Sequence, residues 1–72
     1  MTVPMNSWQL EAALAFRAAL KETGELENLR KVLEVHDYGF WVNTTRNWLG
    51  THGYPRTNAN QIMFMAAGRN SD

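Results

Sequence analysis

One stretch in the middle of the chain organises the rest: Tyr38-Gly39-Phe40-Trp41-Val42-Asn43-Thr44-Thr45-Arg46-Asn47-Trp48-Leu49-Gly50. It holds four of the eight aromatic residues of the chain. Gly39 can turn the backbone, and the residues after it fit a short polar helix. Helical spacing turns Trp48 and Leu49 inward and Arg46 and Asn47 outward. We therefore expect a helix that is anchored by a tryptophan and presents polar side chains to the outside.

The segments on either side of this stretch predict further helices. Residues 7–23 are rich in alanine and leucine, which favour helix, and Gly24 follows as a natural stop. Residues 25–36 carry leucines at helical spacing, and Asn58 starts a capping-box pattern before residues 59–67. We expect four helices, near residues 7–23, 25–36, 42–49 and 59–67. The predicted core contains Leu14, Leu29, Leu33, Trp48 and Ile62.

The fold class is therefore all-α, a small single-domain bundle of three to four short helices. Residues 1–6 are expected to form a flexible arm, residues 7–68 the helical domain, and residues 69–72 a frayed tail. A short strand at residues 61–65 is the alternative for the last element. Helix is preferred there because Met, Ala and Gln favour it.

Composition excludes several classes of function. With 72 residues the chain makes one domain of modest core, too small for a walled catalytic cleft. It contains no cysteine, and His36 and His52 stand far apart without neighbouring ligands, so neither a structural metal nor another cofactor is expected. No apolar run suits a membrane span or a secretory signal, which predicts a cytoplasmic protein without a membrane partner.

Charge is distributed unevenly along a chain whose net charge is zero. Up to Asp37 there are six acidic and four basic residues, a balance of 4 − 6 = −2. From Tyr38 to Ser71 there are three arginines and no acidic residue. Such asymmetry suits a molecule that turns one side toward an anionic partner.

The spacing of Gly39 and Trp48 resembles a helix-turn-helix, with Tyr38 and Phe40 as the apolar neighbours of the turn glycine. The resemblance covers Lys31 to Leu49 and is closest to small regulators encoded by phages or mobile elements. Four positions depart from the pattern of that family. They are Glu34, Val35 and Thr45, where the family normally has small or apolar residues, and Trp41, which stands where a small polar residue usually opens the helix.

The resemblance implies a regulator of transcription that binds DNA through its third helix. Asn43, Arg46 and Asn47 would face the major groove, since arginine pairs with guanine and asparagine with adenine. The residues placed for phosphate contacts would be Thr44, His52 and Arg56.

A second interpretation treats the same region as a protein-binding surface. The protein would then be a non-enzymatic inhibitor of a large host machine of transcription or defence, such as RNA polymerase or a CRISPR complex. Its anchors would be Tyr38, Phe40, Trp41, Arg46 and Tyr54. The chain has no catalytic triad, no paired carboxylates in a plausible pocket and no glycine-rich phosphate loop, so neither an enzyme nor a small-molecule substrate is expected.

Overall fold

The computed structural model describes residues 7–68, which form four α-helices. These are α1 (Ser7–Thr23), α2 (Leu26–Glu34), α3 (Gly39–Thr51) and α4 (Ala59–Ala66). The described residues contain no strand, so the prediction of an all-α bundle is confirmed. The expected arm at 1–6 and tail at 69–72 lie outside them. None of these four helices has the length and apolar character needed to cross a bilayer.

The junction between α1 and α2 follows the predicted pattern. Gly24 has a φ of +79°, a left-handed conformation that glycine adopts without steric cost. The amide of Glu25 then donates to the carbonyl of Leu20 at 2.9 Å, which closes the helix end. This tight joint sets α2 directly against α1.

The junction between α2 and α3 differs from the prediction. The second helix ends at Glu34 rather than at residue 36, and the left-handed residue of the turn is His36, with a φ of 58°. Gly39 has no positive φ and is the first residue of α3. The chain therefore turns before the predicted glycine, because the local hydrogen bond from the amide of Asp37 to the carbonyl of Val32, at 3.0 Å, already closes α2.

The third helix is longer than predicted at both ends. Asn43, a residue type that favours the position before a helix, lies inside it, and so does Gly50, a residue type that favours a helix end. The helix ends at Thr51, and the turn that follows is made by Gly53, whose φ is +83°. The amide of Tyr54 then donates to the carbonyl of Leu49 at 2.8 Å. One continuous helix thus carries every residue from Gly39 to Thr51.

The core lies where α4 packs against both α1 and α3. One cluster contains Phe16, Leu20, Leu26, Leu29, Trp41, Met63, Ala66 and Ala67. The second contains Ala12, Ala13, Leu49, Ala59 and Ile62. Trp48 is partly buried and packs against both clusters, so it joins them.

Two of the five predicted core residues are fully buried, Leu29 and Ile62. Leu33 and Trp48 are partly buried. The prediction is wrong for Leu14, which is 53% exposed. The reason is that α1 is apolar around most of its circumference, and α4 packs against the side that carries the small residues Ala12 and Ala13 together with larger ones such as Phe16.

Polar groups inside the core are hydrogen bonded. The buried hydroxyl of Thr45 donates to the carbonyl of Trp41 at 2.7 Å. Arg17 and Arg30 are also buried, and both donate to main-chain carbonyls at the end of α4. Within residues 7–68 no buried side-chain nitrogen or oxygen lacks a partner, so these polar residues are part of the packed core.

Candidate nucleic-acid interface

The outer face of α3 carries the three residues that were predicted to read bases. Asn43, Arg46 and Asn47 are all exposed. At about 100° per residue they share an arc of about 100° around the helix. The guanidinium of Arg46 donates from Nη1 to Oδ1 of Asn43 at 3.0 Å. Two amides and a guanidinium therefore lie side by side on a rigid helix and point away from the core.

Arg56 is brought to the same face from the loop that follows α3. Its guanidinium lies over Gly50, so closely that a β-carbon on that glycine would overlap its Nε, Cζ and Nη2 atoms. Gly50 comes four residues after Arg46 and three after Asn47, which places it on the exposed side of the helix. The structure thus groups a fourth polar side chain with the three that α3 itself supplies.

The electrostatic character of this face is cationic. From Tyr38 to Gly68 the only Lys, Arg, Asp or Glu residues are Arg46 and Arg56. In the part of the chain that the structure describes, neither of them is paired with a carboxylate. Two guanidinium groups are therefore left to bind an anion.

The other two residues predicted to contact phosphate lie elsewhere. Thr44 is partly buried beside the face. His52 lies about 140° around the helix from Asn47. Its ring stacks on that of Trp48, with the centroids 4.0 Å apart and the planes at 18°. Its Nδ1 is 2.9 Å from the carbonyl oxygen of Trp48. His52 is therefore turned away from Arg46.

His52 belongs instead to a groove between α1 and α3. This groove has a volume of about 620 Å³. Its lining residues are Ala15, Ala18, Ala19, Lys21, Glu22, Trp48 and His52. It carries one lysine and one glutamate, so its charge does not favour an anionic partner in the way that the α3 face does.

The predicted protein anchors are divided between the core and the surface. Trp41 is only 7% exposed and belongs to the core, which removes it from the set of available anchors. Phe40 is 72% exposed, and Tyr38 is partly buried against Phe64 with an edge-to-face contact at 5.3 Å. Phe64 itself is 46% exposed and was not predicted. Its signal in the sequence is its place beside Ile62, Met63 and Ala66, whose spacing leaves it on the outer side of α4.

Tyr54 is held in a stack of aromatic rings. Its centroid is 6.3 Å from that of Trp8 and 6.0 Å from that of Trp48. Its hydroxyl donates to Oε2 of Glu11 at 3.3 Å. Desolvation, then the negative charge of Glu11 and the hydrogen bond to it, raise the pKa of Tyr54. The ring is thus a structural contact between α1 and the loop after α3.

The residues of the helix-turn-helix resemblance are placed in two ways. Thr45 is fully buried and Trp48 partly buried, on the inner side of α3. Val35, the first residue after α2, and Phe40, the second residue of α3, are 69% and 72% exposed, so both leave apolar side chains in solvent. A four-residue turn at 35–38 joins α2 to α3. The resemblance stays a prediction.

No protein-family model matches the chain, and neither a curated protein nor a solved structure matches it. Residues 7–68 also contain no group of three or more His, Asp or Glu side chains that could hold a metal ion. The exposed face of α3 is the feature of the described residues that points to a function.

Proposed function

We propose that the protein is a small cytoplasmic regulator of transcription that binds DNA through the exposed face of α3. The observation that carries the proposal is the grouping of Asn43, Arg46, Asn47 and Arg56 on that face, without an acidic residue between Tyr38 and Gly68. Arginine and asparagine are the side chains that pair bidentately with guanine and adenine in the major groove. This face supplies both kinds from one helix.

The dimensions of α3 suit this role. Its 13 residues make a rod about 20 Å long, and the major groove of B-DNA is about 12 Å wide. The residue roles follow from the side chains. Arg46, Asn43 and Asn47 read base edges, while Arg56, at the end of the helix, contacts a phosphate. Thr44 lies at the margin, and His52 makes no direct contact because it is stacked on Trp48.

The proposal is tested by selecting duplexes from a random pool at moderate salt and measuring affinity by fluorescence anisotropy. Arg46→Ala and Asn47→Ala should each weaken binding to the selected duplex by about 1 to 3 kcal/mol and relax the preference at one base pair. Both residues are exposed, so the variants should melt like the parent.

Lys31→Ala is the matched control, because Lys31 is an exposed cation on α2. It should leave both affinity and sequence preference nearly unchanged. The proposal is abandoned if the pool yields no preferred duplex, or if Arg46→Ala binds the selected duplex as tightly as the parent does.

A second function is favoured by a different observation, the exposed aromatic rings near the start of α3. Phe40 and Phe64 leave 72% and 46% of their surfaces in solvent, and exposed aromatic side chains are common anchors of protein interfaces. We propose as the alternative that these rings bind a host transcription or defence complex. In a pulldown from bacterial lysate, the protein should then retain its partner after nuclease treatment. Phe40→Ala should weaken binding of that partner by about 2 kcal/mol. Retention that nuclease abolishes would exclude this alternative.

A further inference from the structure

Gly50 occupies a position where glycine has no conformational advantage. It lies inside α3, one residue before the helix ends, and it does not have a positive φ. In a helix, glycine is less favourable than alanine because it loses more conformational freedom on folding. Backbone conformation therefore does not explain why residue 50 is a glycine.

The space that a side chain would fill is taken by Arg56. A β-carbon at Gly50 would overlap three atoms of the guanidinium, Nε, Cζ and Nη2. The guanidinium therefore occupies the place that a β-carbon of residue 50 would take. Within the described chain Arg56 makes no hydrogen bond or ion pair, and its guanidinium packs closely against Gly50.

The loop that carries Arg56 begins from a fixed point. Tyr54, two residues earlier, is packed between Trp8 and Trp48, and its amide is bonded to the carbonyl of Leu49. The main chain is therefore anchored immediately before it presents Arg56. Only the side chain of Arg56, and not the loop backbone, uses the space that Gly50 leaves free because it has no side chain.

We propose that Gly50 is a positioning residue, which places the guanidinium of Arg56 one helical turn beyond Arg46, so that Arg46 binds a base edge and Arg56 binds a phosphate at one face of α3. The inference rests on the DNA-binding function proposed above. It adds that the face is completed by a residue from outside the helix, and that a glycine, which cannot itself contact a base through a side chain, is required for affinity.

The test uses Gly50→Ala, for which stability and binding should change in opposite directions. The overlapping atoms belong to the end of a flexible side chain, so the new methyl group displaces the guanidinium at little cost, and the gain in helix propensity should raise the melting temperature by about 4 to 8 °C. The same methyl group removes Arg56 from the face. The dissociation constant for the selected duplex should rise about tenfold, and the slope of log K against log salt should shrink by about 0.9, the value for one phosphate contact.

A double-variant cycle distinguishes displacement of Arg56 from a direct steric block of the duplex by the new methyl group. Arg56→Ala alone should lose as much affinity and salt dependence as Gly50→Ala does. Adding Gly50→Ala to Arg56→Ala should change neither, because the group that the methyl displaces is already absent. A further loss in the double variant would show that the methyl group itself blocks the duplex, and it would overturn the proposal.

Asn28→Ala is the stability control. Asn28 is exposed on α2, and alanine favours helix over asparagine, so this variant should also melt at a higher temperature. It should bind DNA with the affinity and salt slope of the parent. Stabilisation by itself would thus be excluded as the cause of weaker binding.

The remaining outcomes also decide the matter. If Gly50→Ala binds like the parent while Arg46→Ala does not, the positioning role of Gly50 is disproved and the DNA-binding function stands. If the parent prefers no duplex, both fail together. Should Gly50→Ala not fold, Arg56→Lys takes its place, because lysine keeps the charge but lacks the flat group that lies on the glycine. Full affinity in that variant would overturn the inference.

Discussion

The guanidinium groups of Arg17 and Arg30 converge on one carbonyl oxygen, that of Gly68, just beyond the end of α4. Arg17 also donates from Nη1 to the carbonyl of Ala66 at 3.0 Å, and Arg30 donates from Nε to that of Ala67 at 3.0 Å. The last carbonyls of a helix have no partner within it and carry partial negative charge. Two cations from α1 and α2 therefore cap α4 and join three helices at one point.

Removing one of these caps should destabilise the fold strongly. Arg17→Ala takes away a buried charged donor and leaves the carbonyl of Ala66 without its side-chain partner, which should lower the free energy of unfolding by about 2 to 4 kcal/mol. Urea unfolding followed by circular dichroism measures the loss. Lys21→Ala is the control, because Lys21 lies one turn further along α1 and is exposed. It should change the free energy of unfolding by less than about 0.5 kcal/mol.

The two caps should also be coupled. Because Arg17 and Arg30 share the carbonyl of Gly68, the loss in the double Ala variant should differ from the sum of the single losses by at least about 0.5 kcal/mol. Additive losses, or an Arg17→Ala variant as stable as Lys21→Ala, would contradict the proposed cap.

A pair of leucines should separate the buried side of the bundle from its surface. Leu29 has no exposed surface, and Leu29→Ala should cost about 2 to 5 kcal/mol. Leu14 is 53% exposed, and Leu14→Gln should change stability by less than about 1 kcal/mol. Thermal melting of both variants compares them directly. A large loss for Leu14→Gln would mean that a partner copy or another surface covers this leucine in solution.

Trp48 should be the single most important ring of the fold. Its ring centroid is 5.2 Å from that of Phe16, its ring stacks on that of His52, and it contacts both core clusters. Trp48→Ala should therefore cost about 3 to 5 kcal/mol, enough to unfold much of so small a domain. His52→Ala removes only the exposed partner of the stack and should cost less than about 1 kcal/mol. Equal melting temperatures for the two variants would show that Trp48 does not join the clusters.

The stability of the fold should fall at alkaline pH as Tyr54 ionises. Its pKa lies above the ordinary value of 10.0, so the folded state holds this proton more tightly than the unfolded state does. The resulting stabilisation is complete below that ordinary value and is lost as the pH rises through the folded pKa. Glu11→Gln removes the negative charge while keeping an acceptor, so it should bring the pKa of Tyr54 closer to 10.0.

Ultraviolet absorbance of the phenolate measures this pKa in the Tyr38→Phe background, where Tyr54 is the only tyrosine. An unchanged titration curve after Glu11→Gln would show that the carboxylate has no influence on the phenol.

The number and approximate position of the helices follow from the sequence because caps and helix propensity act locally. Gly24 predicts the end of α1 for that reason. The turn after α2 could not be placed in the same way, since both Gly39 and the segment before it permit a turn, and the structure uses His36. The buried side of α1 could not be predicted either. Apolar residues surround this helix, so periodicity does not show that Leu14 faces solvent.

The site was predictable where it depends on α3 alone. Once Trp48 and Leu49 are placed on the inner side, helical spacing puts Arg46 about 160° from Trp48 and Asn47 about 160° from Leu49, so both lie outside, as the structure has them. The position of Arg56 depends instead on the path of the loop after α3, which brings its side chain onto Gly50, and no local pattern predicts that path. His52 follows Trp48 by four residues, so helical spacing alone sets it on that ring, on the other side of the helix.

The cap on α4 also affects how the chain can fold as it is made. Arg17 and the carbonyl of Ala66 are 49 residues apart, and bringing such distant groups together costs about 3 kcal/mol in loop-closure entropy before the contact forms. Synthesis delivers α1 first, so the part of its apolar surface that α4 covers stays exposed until the last helix has been made. We therefore expect the domain to fold only after its full length has left the ribosome, in a single cooperative step, with no stable product from a chain that ends before Ala66.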